Sequence, residues 1–440
     1  MSQAADALAA GAGGPGHAPV LVLPAVVAPG LRDRPLAGSA PERHVAVAVS
    51  GLAAAAAGPA EDRPVLVVAG DAALITAAEL DMLLARHAAG ASPVTRLRGL
   101  PPTAAPDGTD RADAADRPLL AELCREALAD ADADGRSVAW VLDPEPAAAV
   151  RAALTAVDAG DDPVRRVGAT LAAGGWPAVE AVARDWRSAV RITDAAGYGY
   201  AARVLRDRVL RDLVRIGVVI TDPDSTWVDP GVRVAPDAVL GPRTQLSGNT
   251  SIGAGARIGP DVSLTDTTVG AGAEVRYAIC TGAEIGARAI VGPWTYLRHG
   301  TRLGADAGAG CFVELKGTVV GDRTMVPHFA CLIDGDIGSR CNIAAFTGLA
   351  NFDGVAKHRA VIGDDVLVAA GTAVMAPARL GDGAMTAAGT VVTRDVPPGA
   401  LAIARVSQVN VEGWVESRLP ESRSAVAARR ALENERKEPA

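Results

Sequence analysis

An aliphatic residue returns at every sixth position through the second half of this 440-residue chain, a spacing that fits neither a helix nor a flat sheet. Val228, Val234, Leu240, Leu246, Ile252, Ile258 and Leu264 form an unbroken series. After a one-residue slip the pattern resumes at Val269 and Val275, then runs through Ile285, Val291, Leu297 and Leu303. It returns at Val320, Val326 and Leu332, at Ile337 and Ile343, and last at Ile362, Val368, Val374 and Leu380. An α-helix repeats near 3.6 residues and a strand at 2. A period of six predicts three short strands per coil, one on each wall of a prism. The aliphatic side chain points inward and stacks on its counterpart one coil away. The glycine after many of them, as in Leu240-Gly241 and Ile258-Gly259, permits the tight corner. The expected fold of this half is a parallel β-helix of hexapeptide repeats.

The first half reads differently. Val20–Leu23, His44–Val49 and Val65–Val68 have the continuous apolar character of buried parallel strands. Alanine-rich helical stretches, Ala77–His87 and Pro146–Val157, lie between and after them. Alternating strands and helices predict an α/β layered domain. Pro101–Asp116 reads as a loop, and Tyr200–Ile216 as one amphipathic helix ended by Asp222-Pro223-Asp224. The expected division is a first domain over 1–198, a connector over 199–226, the solenoid over 227–415 and a charged tail over 416–440.

Composition narrows the function classes. Net charge is −8, with no basic cluster or aromatic platform, which argues against nucleic acid as a partner. No run of 18 apolar residues reads as a membrane span, and no basic leader precedes an apolar core. The five cysteines form no CxxC pair, so neither disulfides nor structural zinc is expected, and a cytoplasmic setting fits. Of 43 basic residues only Lys316, Lys357 and Lys437 are lysine. In so arginine-biased a chain, a lysine that persists is a candidate for chemistry. His328 is the candidate base, because imidazole titrates near neutrality. Lys316 precedes it by twelve residues, an offset that predicts the same kind of strand position two-thirds of a coil apart. The alternatives are a structural histidine and ordinary surface cations.

Several short pieces carry a specific resemblance. They are Tyr296-Leu297-Arg298, Phe312–Lys316, Pro327-His328, Asp336-Ile337-Gly338, Asn342-Ile343, Asn351-Phe352-Asp353-Gly354, Lys357, Ala387–Val391 and Arg405–Trp414. In order and spacing they resemble the acetyltransferase domain of the bifunctional family that couples UDP-N-acetylglucosamine pyrophosphorylase to glucosamine-1-phosphate N-acetyltransferase. The resemblance implies a left-handed β-helix, a homotrimer with sites between neighbouring copies, and acetyl-CoA as donor. It implies His328 as general base, and Arg298, Lys316 and Lys357 as cationic contacts to the acceptor. Asn342 would be a further acceptor contact. Asn351 and Phe352 would meet the donor's arm, with Ala345, Ala370, Ala388 and Arg405 at further donor positions. Cys331 stands where the family has an acceptor-binding tyrosine, Ala370 where it has a serine, and Ala344-Ala345-Phe346 is bulkier than the family's small-residue stretch.

The first half resembles the same family's nucleotidyltransferase domain, which implies an α/β, Rossmann-like fold. Leu8–Gly13 resembles the start of its glycine-rich nucleotide loop. Pro15 stands in place of the loop's arginine, and no lysine occurs before residue 316. Val68–Asp71 and Thr76–Leu80 resemble the metal-binding aspartate and its helix, but the second ligand falls near Thr193-Asp194. A loop without cations cannot neutralise a triphosphate in transit. Uridylyl transfer is therefore expected to be lost, and no metal residue is assigned: a Mg2+ site in this domain lacks its full ligand set. The function expected is acetyl-CoA-dependent N-acetylation of a small anionic amine such as an amino-sugar phosphate. The alternatives are a different amine or hydrazine acceptor, or a non-catalytic trimeric scaffold.

Overall fold

The computed structural model describes residues 20–23, 64–69, 72, 74–98, 137–155, 162–192, 194–405 and 407–435. The glycine-rich stretch, Pro15, His44–Val49, Asp71, Pro101–Asp116, Thr193 and Lys437 lie outside them.

The first domain is built on a five-stranded sheet of β1 (Val20–Leu23), β2 (Val65–Ala69), β3 (Val94–Arg98), β4 (Ser137–Leu142) and β5 (Ala178–Val182), in the order β1-β2-β4-β3-β5. β1 and β2 run parallel, as do β3 and β5, but β4 runs antiparallel to both its neighbours. The expectation of parallel pairing for Val65–Val68 is therefore corrected on one side. All six residues of β4 are buried, and a continuous apolar run reads the same in either direction. Helix α1 (Ala77–Ala88) starts at Thr76, whose hydroxyl accepts from the Glu79 N–H, and it buries Leu80 and Leu83. Helices α2 (Pro144–Leu154) and α3 (Pro163–Gly174) each carry proline in the first turn.

Helix α4 spans Ala195–Arg215 and begins five residues before Tyr200. Gly197 and Gly199 hide that first turn from a propensity reading, but the Asp194 carboxylate caps it by accepting from the Gly197 N–H at 2.8 Å. The helix ends at Arg215, before Asp222, and Gly217 follows with φ 95°. Val219–Ile220 then already pairs with Val239–Leu240 as a solenoid strand, so the coil begins ahead of residue 227. Among the described residues no helix is long and apolar enough to cross a membrane.

The solenoid has three walls, each a ladder of parallel strands. On the first wall Val228, Leu246 and Leu264 stack at eighteen-residue steps. On the second, Val234, Ile252 and Val269 stack at steps of eighteen and then seventeen, as do Leu240, Ile258 and Val275 on the third. These side chains form one continuous buried core from Val218 to Val396, onto which Leu210 and Leu213 of α4 pack. The coil passes Val392 and ends with Leu401–Ala402. Within the 416–440 tail, Arg423–Glu435 is helical. One step is much longer: Gly348 pairs with Ala373, and Ile337 with Ile362, at twenty-five residues. The excess is the segment Asn351–Arg359, which leaves the prism at the edge between the first and second walls.

Candidate active site

Every coil must turn three times, and the turns use left-handed backbone. At the edge between the third and first walls this position is held by Arg243 and Asp261, then by Tyr277 (φ 46°), Trp294 (55°), Phe312 (55°), Phe329 (50°) and Phe346 (60°), and last by Gly371 and Gly389. One coil step brings each ring over the next, with centroids 5.9, 5.2, 5.2 and 5.4 Å apart. The five rings keep between 39% and 69% of their surface exposed, Phe346 the most.

His328 directly precedes Phe329 on this edge. It lies within the strand Met325–Ile333, which runs through the corner and pairs His328 with Cys311 of the preceding coil. Its ring meets Phe329 edge-on at 6.1 Å, and among the described residues its nitrogens have no hydrogen-bond partner. In the following coils the same position is Ala345, Ala370 and Ala388. The backbone ties these levels together, with Gly371 N–H donating to the Ala345 carbonyl (2.9 Å) and Gly389 N–H to that of Ala370 (2.8 Å). Beyond His328 the edge therefore carries no side chain longer than a methyl at this position. At its far end the Arg405 guanidinium donates to the Ala388 carbonyl at 3.2 Å. His328, Ala345, Ala370, Ala388 and Arg405, scattered in sequence, thus follow one edge.

The outer face of the first wall gathers a second group. Glu314 pairs with Tyr296 on one side and Cys331 on the other. Arg298 donates to the Glu314 carboxylate at 2.8 Å and lies 5.6 Å over the Tyr296 ring. Lys316 is on the next coil, where the Arg298 N–H bonds the Leu315 carbonyl at 2.8 Å. Burial first, and then the Glu314 charge, push the Cys331 thiol above its usual range, while Arg298 opposes them. A thiol held in its neutral form is a poor nucleophile.

Lys357 reaches the same region through the Asn351–Arg359 loop. Two residues on, Arg359 donates to the Asp336 carboxylate and to the carbonyl of Gly317, the neighbour of Lys316. The Asn351 amide donates to Asp334 at 2.6 Å, and Phe352 forms an antiparallel bridge with Lys357. No partner holds the ammonium of Lys316 or Lys357 among the described residues.

One expectation changes, the equivalence of Lys316 and His328. Lys316 follows the inward Leu315 by one residue, whereas His328 follows the inward Val326 by two, because the step from Leu315 to Val320 is one residue short. They do not occupy equivalent positions. Within one chain, His328 stands at one edge of the first wall and the two lysines at the other, roughly 15 Å of extended strand apart. Within one chain Asn342 is on the third wall, paired with Met325 and Leu367, apart from the first-wall group of Arg298, Lys316 and Cys331.

The aromatic edge was not foreseen in the sequence. Three of the chain's four phenylalanines belong to it, at a spacing of seventeen residues, and that recurrence among rare aromatics is the signal that would have revealed it. In the first domain, Asp194 serves as a helix cap. The largely buried Glu79 accepts from the Asp185 N–H at 3.1 Å, with its other carboxylate oxygen unpartnered. Among the described residues no three His, Cys, Asp or Glu side chains converge on a common point.

No protein-family model matches this chain. Among curated proteins, the bifunctional protein GlmU of Streptomyces avermitilis is 38% identical over 371 residues, covering 83% of this chain and 77% of that protein. GlmU of Streptomyces coelicolor is 38% identical over 377 residues, 85% of this chain and 78% of that one. GlmU of Mycolicibacterium gilvum reaches 45% identity over 224 residues, 51% of this chain and 45% of that one. Among solved structures, a UDP-N-acetylglucosamine acyltransferase of Francisella novicida covers 48% of this chain and 76% of its own at 19% identity, with a TM-score of 0.33. Identity of this order across most of both sequences places the chain in the GlmU family, as an acyltransferase of the hexapeptide-repeat class.

Proposed function

We propose that the solenoid transfers acetyl from acetyl-CoA to the amine of a small anionic acceptor, an amino-sugar phosphate or a metabolite of similar chemistry. The observation that carries this reading is the coincidence of two features on neighbouring surfaces. One is an edge of small residues leading to an imidazole with no hydrogen-bond partner among the described residues, and the other is a wall bearing Arg298 and Lys316. Amide formation needs a base for the amine proton and a donor path that brings the thioester to it. His328 takes that proton. Ala345, Ala370 and Ala388 leave room for an extended arm, with Asn351, Phe352 and Arg405 as polar and ring contacts. When bound, acetyl-CoA supplies the activated acyl group. Arg298, Lys316 and Lys357 hold the acceptor's anion, and Asn342 and Cys331 border it.

The two edges of the first wall lie too far apart for one small acceptor to touch both on one chain. A site made between copies resolves this, since a neighbour's edge can lie against the lysines. The exposed aromatic column beside His328 supplies an apolar face for such packing, and a homotrimer in the cytoplasm is the assembly we favour. Uridylyl transfer belongs to the family's first domain. Pro15 and the absence of lysine before residue 316 support its loss here. The test is acetyl-CoA-dependent thiol release by the full-length chain against a panel of amines. Release with phosphorylated or carboxylated amines supports the proposal, and silence with every amine, together with no acetyl-CoA binding in a thermal-shift assay, favours the scaffold.

A further inference from the structure

Lys357 is the proposed acceptor contact carried by the Asn351–Arg359 loop, and that loop is closed by a side-chain pair of its own. Asp353 accepts from the Val355 N–H at 2.8 Å and the Ala356 N–H at 2.7 Å through one oxygen. Its other oxygen meets His358 Nε2 at 2.7 Å. His358 also donates its backbone N–H to the Asn351 carbonyl at 2.7 Å. The pair therefore ties the loop's tip to its base across Lys357, while Arg359 fixes the base to Asp336 and to the coil of Lys316. The tip itself makes no packing contact that would do this work, as Val355 is 93% exposed. Around His358 the charged groups are Asp353, the flanking Lys357 and Arg359, and Asp334 beneath Asn351.

We infer that Asp353 and His358 form a latch that presents Lys357 to the acceptor's anion. They are positioning residues: neither touches the acceptor, and both act through Lys357. This rests on the anion-binding role proposed for Lys357 and adds that the role depends on a closed loop. His358→Ala removes the latch and leaves the solenoid core untouched. Exposed ion pairs are worth little individually, so the acceptor KM should rise roughly 5-fold. The turnover number and the acetyl-CoA KM should remain within about 2-fold of wild type. His358→Gln, whose amide can donate to Asp353, should recover most of the loss. The decisive comparison is a double-mutant cycle: in a Lys357→Ala background, His358→Ala should add nothing. An undiminished effect of His358→Ala there overturns the latch, as does an unchanged acceptor KM in His358→Ala alone. If Lys357→Ala itself leaves the acceptor KM unchanged, the anion site fails. If Lys357→Ala raises it and His358→Ala does not, only the latch fails.

Discussion

Two edges of the same prism solve the same backbone problem with opposite chemistry. Between the second and third walls the left-handed corner is filled in successive coils by Arg288, Asp306, Arg323, Arg340 and Asp365. Between the third and first walls it starts with the paired Arg243 and Asp261 and is then filled by Tyr277, Trp294, Phe312, Phe329 and Phe346. Left-handed backbone disfavours the arginines and the aromatic residues alike, and tolerates the aspartates better. On the charged edge, Arg288 forks onto Asp306 with both contacts at 2.7 Å, and Arg340 reaches Asp365 at 2.6 and 2.7 Å. Such pairs suit water. The rings stack equally well with one another, yet a column of half-exposed aromatics does not suit water. The repeat builds both edges, so the difference is a choice of side chain. That choice supports the proposed packing of the edge beside His328 against a neighbouring copy.

Exchanging the two chemistries is the strongest way to break that comparison. Phe312→Arg gives the aromatic edge a residue type that its opposite edge already accepts at φ near 58°. Light scattering should show the assembly reverting to single chains, with acetylation lost alongside. The reciprocal Arg288→Phe should leave the oligomer intact. If Phe312→Arg keeps a full-sized active oligomer, the ladder is not the seam.

The next effect is chemical. His328→Ala should lower turnover by roughly 100-fold or more, the usual scale of general-base catalysis, with acetyl-CoA affinity little changed. Near-wild-type acetylation would remove His328 from the role. Losing one charge-assisted contact costs about 1.5–3 kcal/mol, so Lys316→Ala should raise the acceptor KM about 10- to 150-fold and spare that of acetyl-CoA. In the first domain, the full chain should release no pyrophosphate from UTP and a hexosamine 1-phosphate with magnesium present.

A smaller effect belongs to the charged edge. Hydrogen bonding to Arg340 first, then its charge, holds the Asp365 carboxyl below the usual range, as Arg288 does for Asp306. A depressed carboxylate contributes stability above its unfolded value and loses it as pH falls through the folded one. Asp365→Asn should therefore lower Tm slightly at neutral pH, by about 1 °C, with the difference gone in strong acid. An equal difference at both pH values would remove the ion pair as its cause.

How much was legible follows from range. The core of the solenoid repeats every six residues, so Leu246, Ile252 and Ile258 announce their walls within one short window. The gap that holds Asn351–Arg359 is visible because the period stops at Ile343 and resumes at Ile362. The aromatic edge repeats only once per coil, and the period of six is blind to it. The antiparallel direction of β4 depends on partners distant in sequence, which a uniformly apolar strand does not encode. The motif around Asn342 suggested an acceptor contact, but which wall it occupies depends on corner lengths accumulated along the coil. Short corners, such as that between Leu315 and Val320, shift the phase by one residue each.

Thiol release from acetyl-CoA by the full-length chain tests the central claim most directly, with glucosamine 1-phosphate, other phosphorylated or carboxylated amines, and neutral amines and hydrazines compared at fixed donor. The account predicts turnover that requires an amine, favours anionic ones, and loses that preference in Lys316→Ala. Equal or better turnover of neutral amines, with Lys316→Ala silent, would contradict it.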